Sequence, residues 1–229
     1  MILLRSALFN VLFFGTTFVL VWPGTLIRLL RPDAVMGIAR LWARLIVGYA
    51  RAICGIRLEV TGLENLPAGA ALIASRHQSA FDTMVWLTLV PRACYVLKHE
   101  LLRIPLFGPM VLAAGMIAVD RKGGTATMRT LMREGKRAAE EHRQIIIFPE
   151  GTRADADAML PLQPGVAALA ARTGLPVIPV VTNSGAVWGR RSFHKLPGTI
   201  RIVILPPIGP GLPREDLMAR LDTALRQPP

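Results

Sequence analysis

The stretch Arg76 to Asp82 reads RHQSAFD and follows the apolar run Ala70 to Ala74. A histidine and an aspartate at this spacing can form a base and the group that orients it. A neutral imidazole has an ordinary pKa of about 6.5 and takes up a proton near neutrality. A carboxylate bonded to one ring nitrogen fixes the tautomer and leaves the other nitrogen to accept. General-base help of that kind is worth about 10²- to 10⁴-fold in rate. On a continuous helix His77 and Asp82 would lie roughly 140° apart, so the chain must bend for them to meet. Ser79-x-x-Asp82 fits a capping box, with Ser79 as N-cap and Asp82 as third helical residue, and the box supplies the bend. The box also explains Ser79 without any catalysis, but it leaves His77 unexplained.

Two other strand ends carry chemistry-bearing residues. In GMIAVDR, Asp120 and Arg121 end an apolar run and are followed by Lys122, Gly123 and Gly124. A cation beside flexible glycines suits a phosphate. In IIIFPEGTR, Glu150, Gly151, Thr152 and Arg153 follow Phe148-Pro149. Pro149 stops the strand ladder, Gly151 permits close backbone approach, and Arg153 offers a planar fork to two phosphate oxygens. VIPVVTN places Pro179 inside a further strand, which implies an edge or a bulge. Each of these is also an ordinary strand ending in a solvated turn. Loops at strand ends are nonetheless where α/β folds place ligands.

The elements that position these loops follow from composition and periodicity. The chain has 229 residues, enough for one domain with a sizeable core plus an appendage. It is 52% hydrophobic with a net charge of +12, which points to an anionic partner. Aromatics are only 6% and no zinc-finger spacing occurs, so membrane lipid is favoured and nucleic acid is not. Cys54 and Cys94 cannot form a disulfide framework and read as buried thiols.

Ser6 to Ile27 carries no charge and lies between Arg5 and Arg28, with Pro23-Gly24 interrupting it. Its uninterrupted part, Ser6 to Trp22, would make about 26 Å of helix, slightly short of a bilayer core of ~30 Å. In the next segment Arg40, Arg44 and Arg51 share one helical stripe. Ile38, Trp42, Leu45, Tyr49 and Ile53 fall on the opposite face, which suits a bilayer surface. The alternative is a helix packed on the globular core with its arginines solvated. Residues 1–54 therefore read as a two-helix membrane-anchoring hairpin that dips into one leaflet, turning near Pro23-Gly24; a full span is the alternative.

Residues 55–229 read as one α/β domain. Short apolar runs at Ile56–Val60, Ala70–Ala74, Tyr95–Leu97, Met116–Val119, Ile145–Phe148, Val177–Thr182 and Ile200–Leu205 read as strands. They alternate with helical patterns at Ser79–Val90, Thr125–His142, Gly165–Arg172 and from Pro213 onward. The expected fold is a mixed, largely parallel sheet flanked by helices. Trp188, Arg190 and Arg191 form a basic loop, placed either near the membrane or in solvent.

The blocks RHQSAFD, GMIAVDR, FPEGTR and VIPV, in this order, resemble the glycerolipid acyltransferase family, and most of all its bacterial 1-acyl-sn-glycerol-3-phosphate acyltransferases. KHELLRIPLFGPM, Lys98 to Met110, resembles the family's stretch between the first two blocks. The resemblance implies acyl transfer from a thioester, acyl-CoA or acyl carrier protein, to the sn-2 hydroxyl of lysophosphatidic acid, with no metal and no cofactor. It implies His77 as general base and Asp82 as its orienter. It assigns Arg121, Glu150 and Arg153 to the acceptor site, with Gly151 and Thr152 shaping that loop and Pro179 near the acyl-binding wall. It also implies the bacterial inner membrane, with the active site on the cytoplasmic side. The chain departs from the family where Gln163 and His99 stand in place of common lysines. Another lyso-lipid acceptor, such as lyso-ornithine lipid, and a non-enzymatic membrane-surface binding protein are the alternative readings.

Overall fold

A computed structural model describes residues 1–120, 123–156 and 158–229. The chain opens with two long helices, α1 (Ile2–Leu30) and α2 (Val35–Cys54). It continues through β1 (Ile56–Thr61), β2 (Ala71–Ser75), α3 (Asp82–Leu89), β3 (Ala93–Lys98), α4 (Phe107–Ala113), β4 (Ile117–Val119), α5 (Gly124–Glu140) and β5 (Gln144–Ile147). It closes with α6 (Gly165–Thr173), β6 (Val177–Thr182), α7 (Ser184–Val187), β7 (Gly198–Ile204) and α8 (Arg214–Leu225). The strands form one sheet in the order β1-β7-β6-β2-β5-β3-β4. Among the described residues every pairing between these strands is parallel except β6 with β7. The expected mixed, largely parallel sheet flanked by helices is what forms.

The central strands are apolar because both sheet faces are covered. Ala71 and Ile73 of β2 pack in one core with Phe9, Ile46 and Trp86 from α1, α2 and α3. Leu72 and Ala74 point the other way, into a second core with Leu131, Leu169 and Leu221 from α5, α6 and α8. Alternation along one strand thus assigns its residues to two layers. Gly174 ends α6 in the left-handed conformation at φ +66°, which glycine adopts without steric cost. The parallel neighbours β2 and β5 release their chains at the same edge of the sheet, and the His77 and Glu150 loops meet there.

The N-terminal hairpin differs from its expected form in two ways. Its turn lies at Arg31–Ala34, not at Pro23-Gly24, and Pro23 sits inside an unbroken α1. In an apolar segment a broken helix would strand backbone groups away from water, so Pro23 is absorbed as an interior residue. The Thr25 hydroxyl donates to the Val21 carbonyl (2.8 Å) nearby. Gly24 is buried against α4, and a Cβ there would stand 2.8 Å from Met110 Sδ. At Arg31-Pro32-Asp33 the chain is exposed, and proline drives Arg31 out of the helical region (φ −146°, ψ 78°). The second difference concerns α2. Its expected lipid face meets α1 instead: Trp42 Nε1 donates to Thr17 Oγ1 (2.9 Å), and the Trp42 ring packs on Phe13. A neighbouring stripe, Ala43, Ile46, Ala50 and Cys54, packs into the core, while Arg44 and Arg51 are exposed. The apolar surface left open belongs chiefly to α1, where Leu4, Leu8, Val11, Phe18, Trp22 and Leu26 recur at helical spacing.

Pro179 lies in an interior strand, between β2 and β7 and opposite Ala74. The edge alternative therefore fails and the bulge holds. The Leu205 N–H donates to the Pro179 carbonyl (2.9 Å), while Val177 and Ile208 exchange bonds in both directions (3.0 and 2.8 Å). The chain after β7 advances by an extra residue across this step, which is a β-bulge facing the proline's missing N–H.

Candidate active site

His77 leaves β2 at the carboxyl edge of the sheet, where its imidazole Nδ1 lies 3.2 Å from Asp82 Oδ2. A carboxylate only accepts, so Nδ1 carries the proton and the basic lone pair is on Nε2. The bend that joins the two is built by the carboxylate itself. Asp82 Oδ2 also accepts the backbone N–H groups of Gln78 (2.8 Å) and Ser79 (2.8 Å). The capping arrangement is thus half formed and displaced. Asp82 reaches back to the Ser79 N–H, but α3 starts at Asp82 itself, and Ser79 Oγ accepts from the Phe81 N–H (3.1 Å). Asp82 and Ser79 are almost wholly buried, at 2% and 0% exposure. Charge-assisted bonds from two fixed amides hold the acid rigidly against the imidazole.

The opposite side of His77 is fixed by the loop after β5. Phe148 stacks on the imidazole with ring centroids 4.0 Å apart and planes 18° from parallel. The His77 N–H donates to Glu150 Oε2 (2.8 Å), and the His77 carbonyl accepts from the Ala154 N–H (2.7 Å). Glu150 is buried, with Arg76 Nε 3.7 Å from its other oxygen. Its carboxylate therefore faces the backbone of the base. Gly151 turns the loop at φ +72°, where a Cβ would be strained. Thr152 is exposed and Arg153 half-buried. Gln78, unremarked in the sequence, is 1% exposed and ties the loops together: its Nε2 donates to the Ala156 carbonyl (2.9 Å), and its Oε1 accepts from the Gly185 N–H (3.0 Å). The only signal for it in the sequence is a polar residue beside the histidine. Arg121 lies outside the described residues. Pro179 is held in the sheet three positions before the level of His77 and makes no hydrogen bond to the other site residues described here.

Burial pushes the Glu150 carboxyl up to about 7, and Asp82 adds to the rise against the pull of the His77 N–H and Arg76. The folded state thus holds the Glu150 proton to higher pH than the unfolded chain does. Stability associated with this group is fully present below the unfolded pKa and is lost as pH rises through about 7. Thermal melts of the wild type should therefore fall between pH 5 and 7. Glu150→Gln keeps an oxygen acceptor for the His77 N–H and should flatten that slope. An equal slope in both proteins would show that Glu150 does not titrate in this range.

Residues 57–183 match the family described as Acyltransferase. The chain is 35% identical over 208 residues to the 1-acyl-sn-glycerol-3-phosphate acyltransferase of Pseudomonas aeruginosa, an alignment covering 89% of this chain and 80% of that protein. It is 30% identical over 189 residues to the protein of the same name from Limnanthes alba, covering 82% of this chain and 64% of that one. The crystal structure of the 1-acyl-sn-glycerophosphate acyltransferase of Thermotoga maritima superposes with a TM-score of 0.80 over 99% of this chain and 95% of its own, at 21% identity, which is a likeness of fold. On the matched span of residues, and on the relatives' identities, the chain belongs to the acyltransferase family.

Proposed function

We propose that this protein transfers a fatty acyl group from an acyl thioester to the sn-2 hydroxyl of 1-acyl-sn-glycerol-3-phosphate, giving phosphatidic acid. The observation that carries this reading is the His77–Asp82 contact at 3.2 Å, at the carboxyl edge of the sheet, in a chain whose relatives bear that activity in their names. The acceptor hydroxyl oxygen attacks the thioester carbonyl carbon while His77 Nε2 takes the hydroxyl proton. Asp82 stabilises the imidazolium that results. As the C–S bond breaks, the proton passes to the departing thiolate, so one ester and one thiol form. The thioester supplies the activated acyl group, and a positioned base is the remaining requirement. Ser79 is buried and its hydroxyl is engaged by the Phe81 N–H, which favours direct attack over an acyl-serine intermediate. Arg153 supplies the phosphate-binding cation, with Gly151 and Thr152 shaping its loop. Glu150 holds the His77 backbone, and Pro179 lies toward the acyl chain.

The test is thiol release by the purified protein with 1-acylglycerol-3-phosphate set against lyso-ornithine lipid and other lysophospholipids. Preference for the phosphomonoester supports the reading. Preference for lyso-ornithine lipid, or no thiol with any acceptor, contradicts it.

The chain is membrane-associated through its N-terminal helices. α1 has 29 residues, is long and apolar enough to cross a bilayer, and is little buried by the protein. It is also bound into the core through Phe9, so we propose that the hairpin lies in one leaflet, at the cytoplasmic side of a bacterial inner membrane. Residues 1–54 act there as the anchor of the acyltransferase domain, 55–229. Phe14 and Phe18 are about two-thirds exposed on α1 (67% and 66%). Phe14→Glu with Phe18→Glu should move the protein from the membrane pellet to the supernatant on ultracentrifugation, with an unchanged melting temperature. Retention in the membrane fraction would contradict this anchoring face.

A further inference from the structure

The loop between α7 and β7 is built with more care than a connection needs. Its entry is fixed beside the active site: Gly185 bonds Gln78, and the buried Trp188 ring lies 6.4 Å from Phe81, which immediately precedes Asp82. Trp188 also meets Phe9 of α1 edge-on at 5.1 Å, so the tryptophan expected in an open basic loop is a core residue. The exit is fixed by Lys195, only 4% exposed. Its ammonium donates to Asn10 Oδ1 (3.1 Å) and to the carbonyls of Ser192 (3.1 Å) and Phe193 (2.9 Å), and it lies over the Trp188 ring at 5.1 Å. The Lys195 N–H reaches Ser6 Oγ (3.0 Å). Both ends of the loop are thereby riveted to α1.

Between the rivets the Ser192 N–H closes on the Gly189 carbonyl (3.1 Å), which makes a tight turn with Arg190 and Arg191 at its centre. Both arginines are exposed. Arg191 has φ +55°, a conformation in which a glycine would be unstrained and an arginine is not. Strain kept at such a position calls for a function of the side chain. The charges converge on the candidate site. Burial lowers the Arg153 pKa, Asp82 opposes the change, and Arg190 and Arg191 add to it. Arg153 precedes Ala154, whose N–H bonds the His77 carbonyl, and the Arg190–Arg191 turn follows Gly185, bonded to Gln78, and Trp188, beside Phe81. All three arginines thus stand on segments tied to the His77–Asp82 loop, and an anion would relieve their mutual repulsion.

We propose that Arg190 and Arg191 form, with Arg153, the receptor for the phosphate of the lysophospholipid acceptor, and that the turn carrying them sets the selectivity for phosphorylated acceptors. This rests on the acceptor reading above. The chemistry recognised is a phosphate monoester on a lipid, presented from the side of the site that adjoins α1.

The experiment uses the full chain in zwitterionic phosphatidylcholine vesicles. Arg190→Ala with Arg191→Ala should raise KM for 1-acylglycerol-3-phosphate about tenfold, change kcat less than about threefold, and leave acylation of non-phosphorylated monoacylglycerol unaltered. Arg191→Gly should raise both the melting temperature and KM. An unchanged KM in these variants overturns the proposal. So does a KM effect seen only when anionic lipid is added to the vesicles, because the arginines would then be reading the bilayer. A wild-type protein that ignores the phosphomonoester would instead overturn the acceptor reading itself, so the two failures are distinguishable.

Discussion

His77→Ala should lower kcat for thiol release by about 10²- to 10⁴-fold, the range expected when a positioned base is removed. KM for the acceptor should change little, because no phosphate contact is assigned to the imidazole. The fold should survive. His77 is held through its backbone, by Glu150 Oε2 and the Ala154 N–H, and an alanine keeps both bonds. The side chain gives up its stacking on Phe148, worth about 1 kcal/mol, and its bond to Asp82 Oδ2, worth about 1.5–3 kcal/mol, while Asp82 keeps the Gln78 and Ser79 amides as donors. Parallel measurement of kcat and melting temperature checks this. Turnover within tenfold of wild type in a folded variant would remove His77 from the chemistry.

Asp82→Asn should be almost as damaging to rate and worse for stability. One oxygen of Asp82 receives three donors: His77 Nδ1 and the N–H groups of Gln78 and Ser79. An asparagine oxygen can still accept from the two amides, but without the charge, at a cost of about 1–3 kcal/mol. The imidazolium formed during transfer loses its counter-charge, and the Nδ1–H tautomer is no longer enforced. A fall in kcat of about 10²- to 10⁴-fold is expected, together with a lowered urea midpoint. A variant of normal kcat, however destabilised, would reduce Asp82 to a helix-start residue.

Much of the fold was legible because buried parallel strands leave simple traces. Ile145–Phe148 was read for Gln144–Ile147, and Val177–Thr182 matched its strand residue for residue. The dyad was legible too, since its partners are five positions apart and a single bend joins them. The bend itself was misassigned: the capping motif anticipated a bond from the carboxylate to the Ser79 amide, but not a helix beginning at Asp82. The short helix α4 was missed, being two turns long with no room for a periodicity to show. The hairpin turn was placed at the wrong proline because proline has two opposite consequences. It breaks a helix at an exposed, polar position and is tolerated where breaking would expose backbone to an apolar surround. Lys195 could not be read at all. Its partner Asn10 is 185 positions away, and nothing local distinguishes it from a surface lysine. Glu150 sits between these cases. The family resemblance assigns it to the acceptor site, and its bond to the His77 backbone, 73 positions away, leaves no local trace.

The proposed chemistry depends on where the proton sits on the His77 ring, and nitrogen-15 NMR of the imidazole in the full-length protein reads it directly. At pH 8, with histidine selectively labelled and His77 assigned by its absence in His77→Ala, the ring should show Nδ1 protonated against Asp82 and Nε2 as the basic nitrogen. Asp82→Asn should erode that preference. A ring protonated at Nε2 in the wild type, or one indifferent to the Asp82 substitution, would contradict the assignment of His77 as the base.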